Sequence, residues 1–463
     1  PMWPSEDEIS LEEFQRMEHD ARIAALGGKP GQMNVLLNGK CIPLSAGQIK
    51  SIGGTIFLTT DVLSKALGVT VKGNADGYAP VRTSAEAAGF DVFWEQDYQT
   101  VVLVDRKGIV AKLDADFSQA QTLLTRALAA SLPEAGQAYA SNESLTANVK
   151  LFNTLDGDSS YTLSCKASSI QKDGSISGSI TLDVAGLLRQ LSAEEKEMIT
   201  EMLPQKLTLN QLISLAAGLQ INYILDAKDE SLSVNIPALA TFVEGYGKDK
   251  WVQMDVTGLS DLLETTEIGS LGSMIYDFAR TTSYGGDYLD YYANLTGNLA
   301  TVKAFLGNDR FKEQNGTLTY QLDTATVNGL IADLTSVSYS GPVENAFRTA
   351  NLSLALTDGG KFSTSFNLRP NTAALAGGVP GLTGMVSGFD FLYKGDMTGS
   401  PEQSKLSGEF HWKNQFQVKL DANSTTRKTT ESPKTAPAPA LCMDVEEFGA
   451  LLSSALMPDT GAY

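Results

Sequence analysis

The sequence has 463 residues, which exceeds what one hydrophobic core holds and predicts two or three domains. Its 54 acidic side chains outnumber 35 basic ones, for a net charge of -19; a surface this acidic repels phosphate backbones and anionic head groups, so nucleic acid and anionic membranes are not expected partners. The three cysteines, Cys41, Cys165 and Cys442, are isolated from one another, which argues against a disulfide scaffold and a structural zinc site.

The chain begins at Pro1 without an initiator methionine, as expected where a signal peptide or anchor has been removed. Residues 1–30 read as a charged helix or spacer. Ser10 and Glu13 have capping-box spacing, Leu11, Phe14, Met17 and Ala21 fall near one face, and Gly27-Gly28 stops the helix.

Residues 33–113 read as a small α+β domain. Met33 to Pro43 predicts a hairpin turning at Asn38-Gly39. A helix from Thr60 to Leu67 should end at Gly68. "YAPVRTSAEAAGFDV", from Tyr78, repeats the plan of "FLTTDVLSKALGVTV", from Phe57: an aromatic, a short helix, a terminating glycine and a strand. Gly89 is expected in the left-handed conformation that closes the second helix. Val92, Trp94, Val101 and Leu103 then alternate as strands around a turn at Glu95 to Gln99. These stretches, with "NVLLNGKCIPL" and "RKGIVAKL", resemble the copper amine oxidase N-terminal-like domain, a stalk module of secreted and surface proteins of Gram-positive bacteria. Tyr78, Pro80, Arg82, Gly89, Val92 and Trp94 match its pattern, while Ala79 and Ala88 stand where valine and leucine are usual. The resemblance implies an extracellular or cell-surface location and a spacer or attachment role without chemistry.

Residues 115–463 read as one large domain, an antiparallel sheet with helices on one face. A helix over residues 117–140 breaks near Pro133. Three hairpins are expected: "YTLSCKASSIQKDGSISGSITLDV" turning at Lys172-Asp173-Gly174, "INYILDAKDESLSVNI", and "TFVEGYGKDKWVQMDV". Capping boxes at Ser192/Glu195 and Thr208/Gln211 mark helices between them. Residues 257–306 read as helical, and strands return at 316–323, 351–368 and 386–422. Asp183, Asp255, Asp323 and Asp444 each follow an apolar strand and precede an apolar helix, the placement of an N-cap rather than a metal ligand. "STTRKTTESPKTAPAPAL", residues 424–441, reads as a flexible polar, proline-rich loop. Two uncharged stretches do not read as membrane spans: Leu207 to Leu225 suggests a buried helix then a strand, and Pro370 to Phe389 a loop. With "KDKWVQMDVTGL" and helices over one sheet face, this region resembles bacterial lipoprotein-type half-barrels, which implies a sheet curled round an apolar cavity.

Only His19 and His411 supply imidazoles, too few for a copper centre, and Asn222-Tyr223 is followed by Ile224 rather than an acid. No nucleotide-binding glycine loop is present, and no cofactor or metal site is expected. "LDGDSS", from Leu155, reads as a solvated turn. Tyr284, Tyr288, Tyr291 and Tyr292 crowd one segment, and with Trp251 they are the candidate ligand-binding residues; their nearest structural alternative is a helix stacking tyrosines on its neighbours. The expectation is a non-catalytic binding or scaffold module at the cell envelope, with a cell-wall polymer, a peptide or an apolar small molecule as partner. Carriage of a lipid or other apolar ligand under the sheet is the second expectation, and action on polysaccharide or peptidoglycan the third.

Overall fold

A computed structural model describes residues 11–131, 133–154, 157–203, 208–217, 219–241, 243–257, 268–335, 341–378 and 391–456. The chain divides into two compact units, Pro1–Gln121 with Gly269–Asn308, and Thr122–Ile268 with Asp309–Tyr463. The fold is α+β, as the sequence predicts.

In the first unit, β1 (Asn34–Leu37) turns into β2 (Lys40–Cys41) through Asn38 and Gly39, at φ 46° and 79°, the positive pair of a type I′ hairpin. β3 (Ile49–Ile52), β4 (Thr55–Thr59) and β5 (Tyr78–Pro80) form a three-stranded sheet. β6 (Asp91–Glu95) and β7 (Thr100–Val104) join β1 and β2 in the order β2-β1-β7-β6. The helices Thr60–Leu67 and Val81–Ala87 end where expected, with Gly68 at φ 66° and Gly89 at φ 90°. β7 departs from the expected alternation. It pairs parallel to β1 and antiparallel to β6, and all five of its residues are buried. Val35, Leu58, Leu63, Ala85 and Leu103 close this core.

The sequence placed residues 257–306 in the large domain. The structure instead groups Gly269–Asn308 with the first unit. The helices Leu271–Thr281 and Tyr291–Leu306 bury Ile275, Tyr276, Ala279, Tyr291, Leu295 and Leu299. Gly272 sits where the first of them crosses Arg106–Asp116: a Cβ there would stand 2.9 Å from the Val110 carbonyl oxygen. Ser10 of the expected capping box and residues 258–267 lie outside the described residues.

The second unit is built on one fourteen-stranded sheet. β8 (Ala138–Thr154), β9 (Gly157–Lys172), β10 (Ser175–Leu182), β11 (Gln220–Asp226), β12 (Ser231–Asn235) and β13 (Trp251–Asp255) run in sequence order. So do β14 (Phe311–Gln314), β15 (Thr317–Leu322), β16 (Phe347–Thr357), β17 (Phe362–Pro370), β18 (Phe391–Ser400), β19 (Gln403–Trp412) and β20 (Phe416–Thr429). β20 pairs with β8 from Phe416↔Leu151 to Thr429↔Ala138 and joins the two meanders. β21 (Cys442–Met443) pairs parallel to β13 at the far edge. Asp173 and Gly174, at φ 47° and 81°, make the expected β9–β10 turn. Asp183, Asp323 and Asp444 cap helices, accepting from the backbone N–H of Gly186, Thr326 and Glu447. Both capping boxes form.

Three readings are corrected. The third hairpin does not form: Pro237–Thr241 is a 3-10 turn and only Trp251–Asp255 is a strand. Val243 and Tyr246, read as strand residues, enter a core with Val252, Met443 and Phe448. Pro370 to Phe389 is not all loop, since Thr372–Gly378 is helical and residues 379–390 lie outside the described set. The segment 424–441 is not a flexible loop throughout, because Ser424 to Thr429 extend β20 against β8. The remaining twelve residues, 430–441, cross from β20 to β21, seven strand positions away in the sheet order. This strap is pinned where the Lys434 N–H donates to Ser177 Oγ at 2.8 Å and ends in a 3-10 turn, Pro439–Leu441, just before β21. The cysteines are free and half-buried, and burial pushes the Cys41 thiol up.

Candidate functional site

The four tyrosines gather in the first unit, but not on one helical face. Tyr284 and Tyr288 lie in the loop before the helix, and Tyr291 and Tyr292 open it. Tyr288 stacks on Phe93 with ring centroids 4.5 Å apart, Tyr291 tilts against Phe93 at 4.8 Å, and Tyr284 leans on Tyr288 at 4.9 Å. Tyr292 faces Gly39, where a Cβ would stand 3.0 Å from its ring. Tyr291 is buried; burial and the nearby Asp91 charge push its hydroxyl up to about 12. Only Tyr284 is exposed.

Polar bonds fix the same junction. The Tyr288 N–H donates to Glu95 at 2.9 Å, and Tyr276 donates to Asp91 at 2.8 Å. Arg22 donates to Asp287 and Asp290, each at 2.8 Å, and to the Tyr98 hydroxyl at 2.7 Å. Burial pushes the Asp287 carboxyl up, but the Arg22 hydrogen bond and charge, with the Leu289 N–H, outweigh it and hold the group below its ordinary value. The tyrosines thus mainly seat the two helices on β6. Trp251 belongs to the second unit, in β13.

In the second unit, strand pairing sorts side chains onto two faces, because directly paired residues point the same way. One face is apolar from edge to edge. A single row across it runs Leu322, Leu352, Phe366, Gly395, Gly408, Leu420, Ala147 and Leu163. Neighbouring rows carry Tyr393, Phe410, Val418 and Val149, then Phe391, Trp412, Phe416 and Leu151. The rings make a connected array: Phe366 to Tyr393 at 4.5 Å, Phe410 to Phe416 at 5.5 Å, Trp412 to Phe416 at 5.7 Å. Glycines let rings approach the neighbouring strand closely. A Cβ on Gly395 would stand 2.6 Å from the Phe366 ring, and one on Gly399 2.7 Å from Phe362.

Helix Val445–Leu456 covers this face at β13 and β21, through Phe448, Leu451 and Leu452. The central strands stay partly open. Leu145, Ala422, Leu406 and Met397 form one lateral row, and its ends, Leu145 and Met397, are 36% and 37% exposed. Tyr393 is 45% exposed. The next row, Glu143, Ser424, Ser404 and Gly399, is a polar rim. This row was missed from the sequence because each strand contributes one residue, and only the register aligns them.

The opposite face is polar: Ser400, Gln403, Thr425, Asn142, Ser168, Ser179, Asn222 and Asn235 align across eight strands. A groove of about 400 Å³ lies there. A concavity of about 810 Å³ at the β12–β13–β21 end is acidic, but Asp444 in it is engaged as a helix cap and Asp255 accepts from Thr257. Polar residue types dominate the lining of both concavities, so the apolar area is an open face rather than either of these hollows. Among the described residues, no three His, Cys, Asp or Glu side chains are grouped to hold a metal. No helix there is long and apolar enough to cross a membrane.

No protein-family model and no curated protein matches this chain. Among solved structures, the crystal structure of Neisserial surface protein A (NspA) aligns over 63% of this chain and 97% of its own, at 8% identity and a TM-score of 0.12. At that score the likeness carries no argument about fold or function.

Proposed function

We propose that the protein is a non-catalytic binding module whose second unit seats an apolar molecule on the apolar face of the large sheet. The observation that carries this reading is the partly exposed row Leu145–Ala422–Leu406–Met397 beside a connected aromatic array. Contiguous exposed apolar area is unfavourable in water and marks a surface used for binding. The aromatic rings beside this row add large apolar surface that a ligand can cover. The resemblance of residues 33–113 to stalk domains supports a spacer or attachment role at a cell envelope.

The test is a titration of the full chain with an uncharged fluorescent acyl-chain probe, together with native mass spectrometry of gently purified protein. Leu145→Glu combined with Met397→Lys places charges on the open row and should weaken probe binding by at least about tenfold, a change of about 1.4 kcal/mol. Equal binding by the variant, or no saturable binding by the native chain, would overturn the reading.

A further inference from the structure

Asn-Gly occurs three times, at Asn38-Gly39, Asn315-Gly316 and Asn328-Gly329. A glycine in the second position leaves its backbone nitrogen unshielded by any side chain, so all three sequences are equally open to attack of that nitrogen on the asparagine carboxamide. Their surroundings differ.

Asn38 caps the β1–β2 turn, and its Oδ1 accepts the Asp105 N–H at 2.9 Å. The Tyr292 ring covers the adjacent glycine. Asn328 lies in helix Thr324–Thr335 and is held at both ends of its amide: Nδ2 donates to the Phe347 carbonyl at 2.9 Å, and Oδ1 accepts the Phe347 N–H at 2.8 Å. Asn315 is exposed, at φ 51°, on the tip between β14 and β15. β14 is the first strand of the sheet order and has four residues, of which Lys312, Glu313 and Gln314 are exposed. Among the described residues, no side-chain hydrogen bond anchors Asn315.

We propose that Asn315 is a site of spontaneous deamidation and that the fold closes Asn38 and Asn328 to the same reaction. Hydroxide or another base removes the proton from the Gly316 backbone nitrogen, which attacks Asn315 Cγ. The N–Cγ bond forms, the Cγ–Nδ2 bond breaks, and ammonia leaves. Water then adds to one of the two carbonyls of the resulting five-membered imide and reopens the ring. Attack at Cγ gives aspartate; attack at the main-chain carbonyl gives isoaspartate. The net change is one water gained and one ammonia lost, with no oxidation or reduction. The rate follows how often each turn opens locally, which is most frequent at an exposed edge hairpin with few buried contacts.

The product is not neutral for its neighbours. Arg126 pairs with both Glu313 and Asp358, the latter at 3.0 Å, and an Asp358 carboxylate oxygen lies 2.9 Å from where a Cβ on Gly316 would stand. A new carboxylate there adds like charge to a site where one arginine serves two acids. The isoaspartyl form also lengthens the main chain by one methylene and breaks the hairpin register.

Peptide mapping by mass spectrometry would follow the amide-to-acid mass gain in the full chain, held in mildly alkaline buffer with and without denaturant. In the folded chain, Asn315 should convert at least about tenfold faster than Asn38 or Asn328, an opening free energy lower by about 1.4 kcal/mol. In denaturant the three rates should converge. Asn315→Gln should abolish the fast conversion and leave the slow ones unchanged. Equal rates at the three sites in the folded chain, or a faster rate at Asn38 or Asn328, would overturn the proposal.

Discussion

The first unit closes around side chains that water does not reach, with Val35, Leu58, Leu63, Ala85 and Leu103 at 0% exposure. Its central strand β7 is buried along its whole length. In the second unit, no described residue of β9, β19 or β20 is fully buried, although their apolar rows are continuous. The first unit is held by packing, in which every methyl has neighbours on all sides. The centre of the second depends more on ladder hydrogen bonds and cross-strand pairs, which leave one surface of each side chain open. A sheet stabilised in this way can expose an apolar face without losing its framework.

The largest expected effect contrasts the two directly. Leu63→Ala should destabilise the first unit by about 2–5 kcal/mol, because a buried leucine leaves a cavity. Met397→Ala should cost less than about 1 kcal/mol, since the side chain is already partly in water. Hydrogen exchange resolved by peptide would measure both, and similar costs would break the contrast. Next, Gly395→Ala should cost about 1–3 kcal/mol in denaturant unfolding and lift the Phe366 ring off the sheet. A change near zero would mean that the ring does not rest on that glycine.

The smallest effect concerns the first unit's polar junction. Arg22→Ala should cost about 1 kcal/mol, discounted for the solvent that reaches both partners. The Asp287 carboxyl lies below its ordinary value when folded, so its contribution is complete above the unfolded value, near 4, and is lost as pH falls through the lower folded value. Acid titration of stability should therefore flatten at its low end in Arg22→Ala. An unchanged acid limb would remove Asp287 as its source.

Local signals were legible in the sequence wherever one residue type fits one backbone geometry. Asn38-Gly39, Asp173-Gly174, Gly68 and Gly89 all take positive φ, and three of the four aspartate caps are described in place. The fourth, Asp255, precedes residues outside the described set. What failed depends on partners distant in the chain. Val243 and Tyr246 resemble strand residues, yet they pack on Met443 and Phe448 while the Asn235 side chain donates to the carbonyls of Lys248 and Lys250. Arg22 and Asp287 stand 265 positions apart, and no local pattern announces that they meet. The tyrosine cluster was found, but its role as a seat for two helices was visible only through Phe93, Asp91 and Glu95. The apolar face was foreshadowed by strand alternation, but the open row needed the register.

The seam between β20 and β8 has a consequence for how the chain is made. Ser141 and Thr426, which meet across it, are 285 positions apart. Each meander can pair as it leaves the ribosome, but their union waits for nearly the last strand to be synthesised. Until then β8 and β19 each present an unpaired edge, the form in which sheets recruit foreign strands. A chain stopped before Phe416 would therefore keep both half-sheets and lack their join, leaving it prone to aggregate with copies of itself.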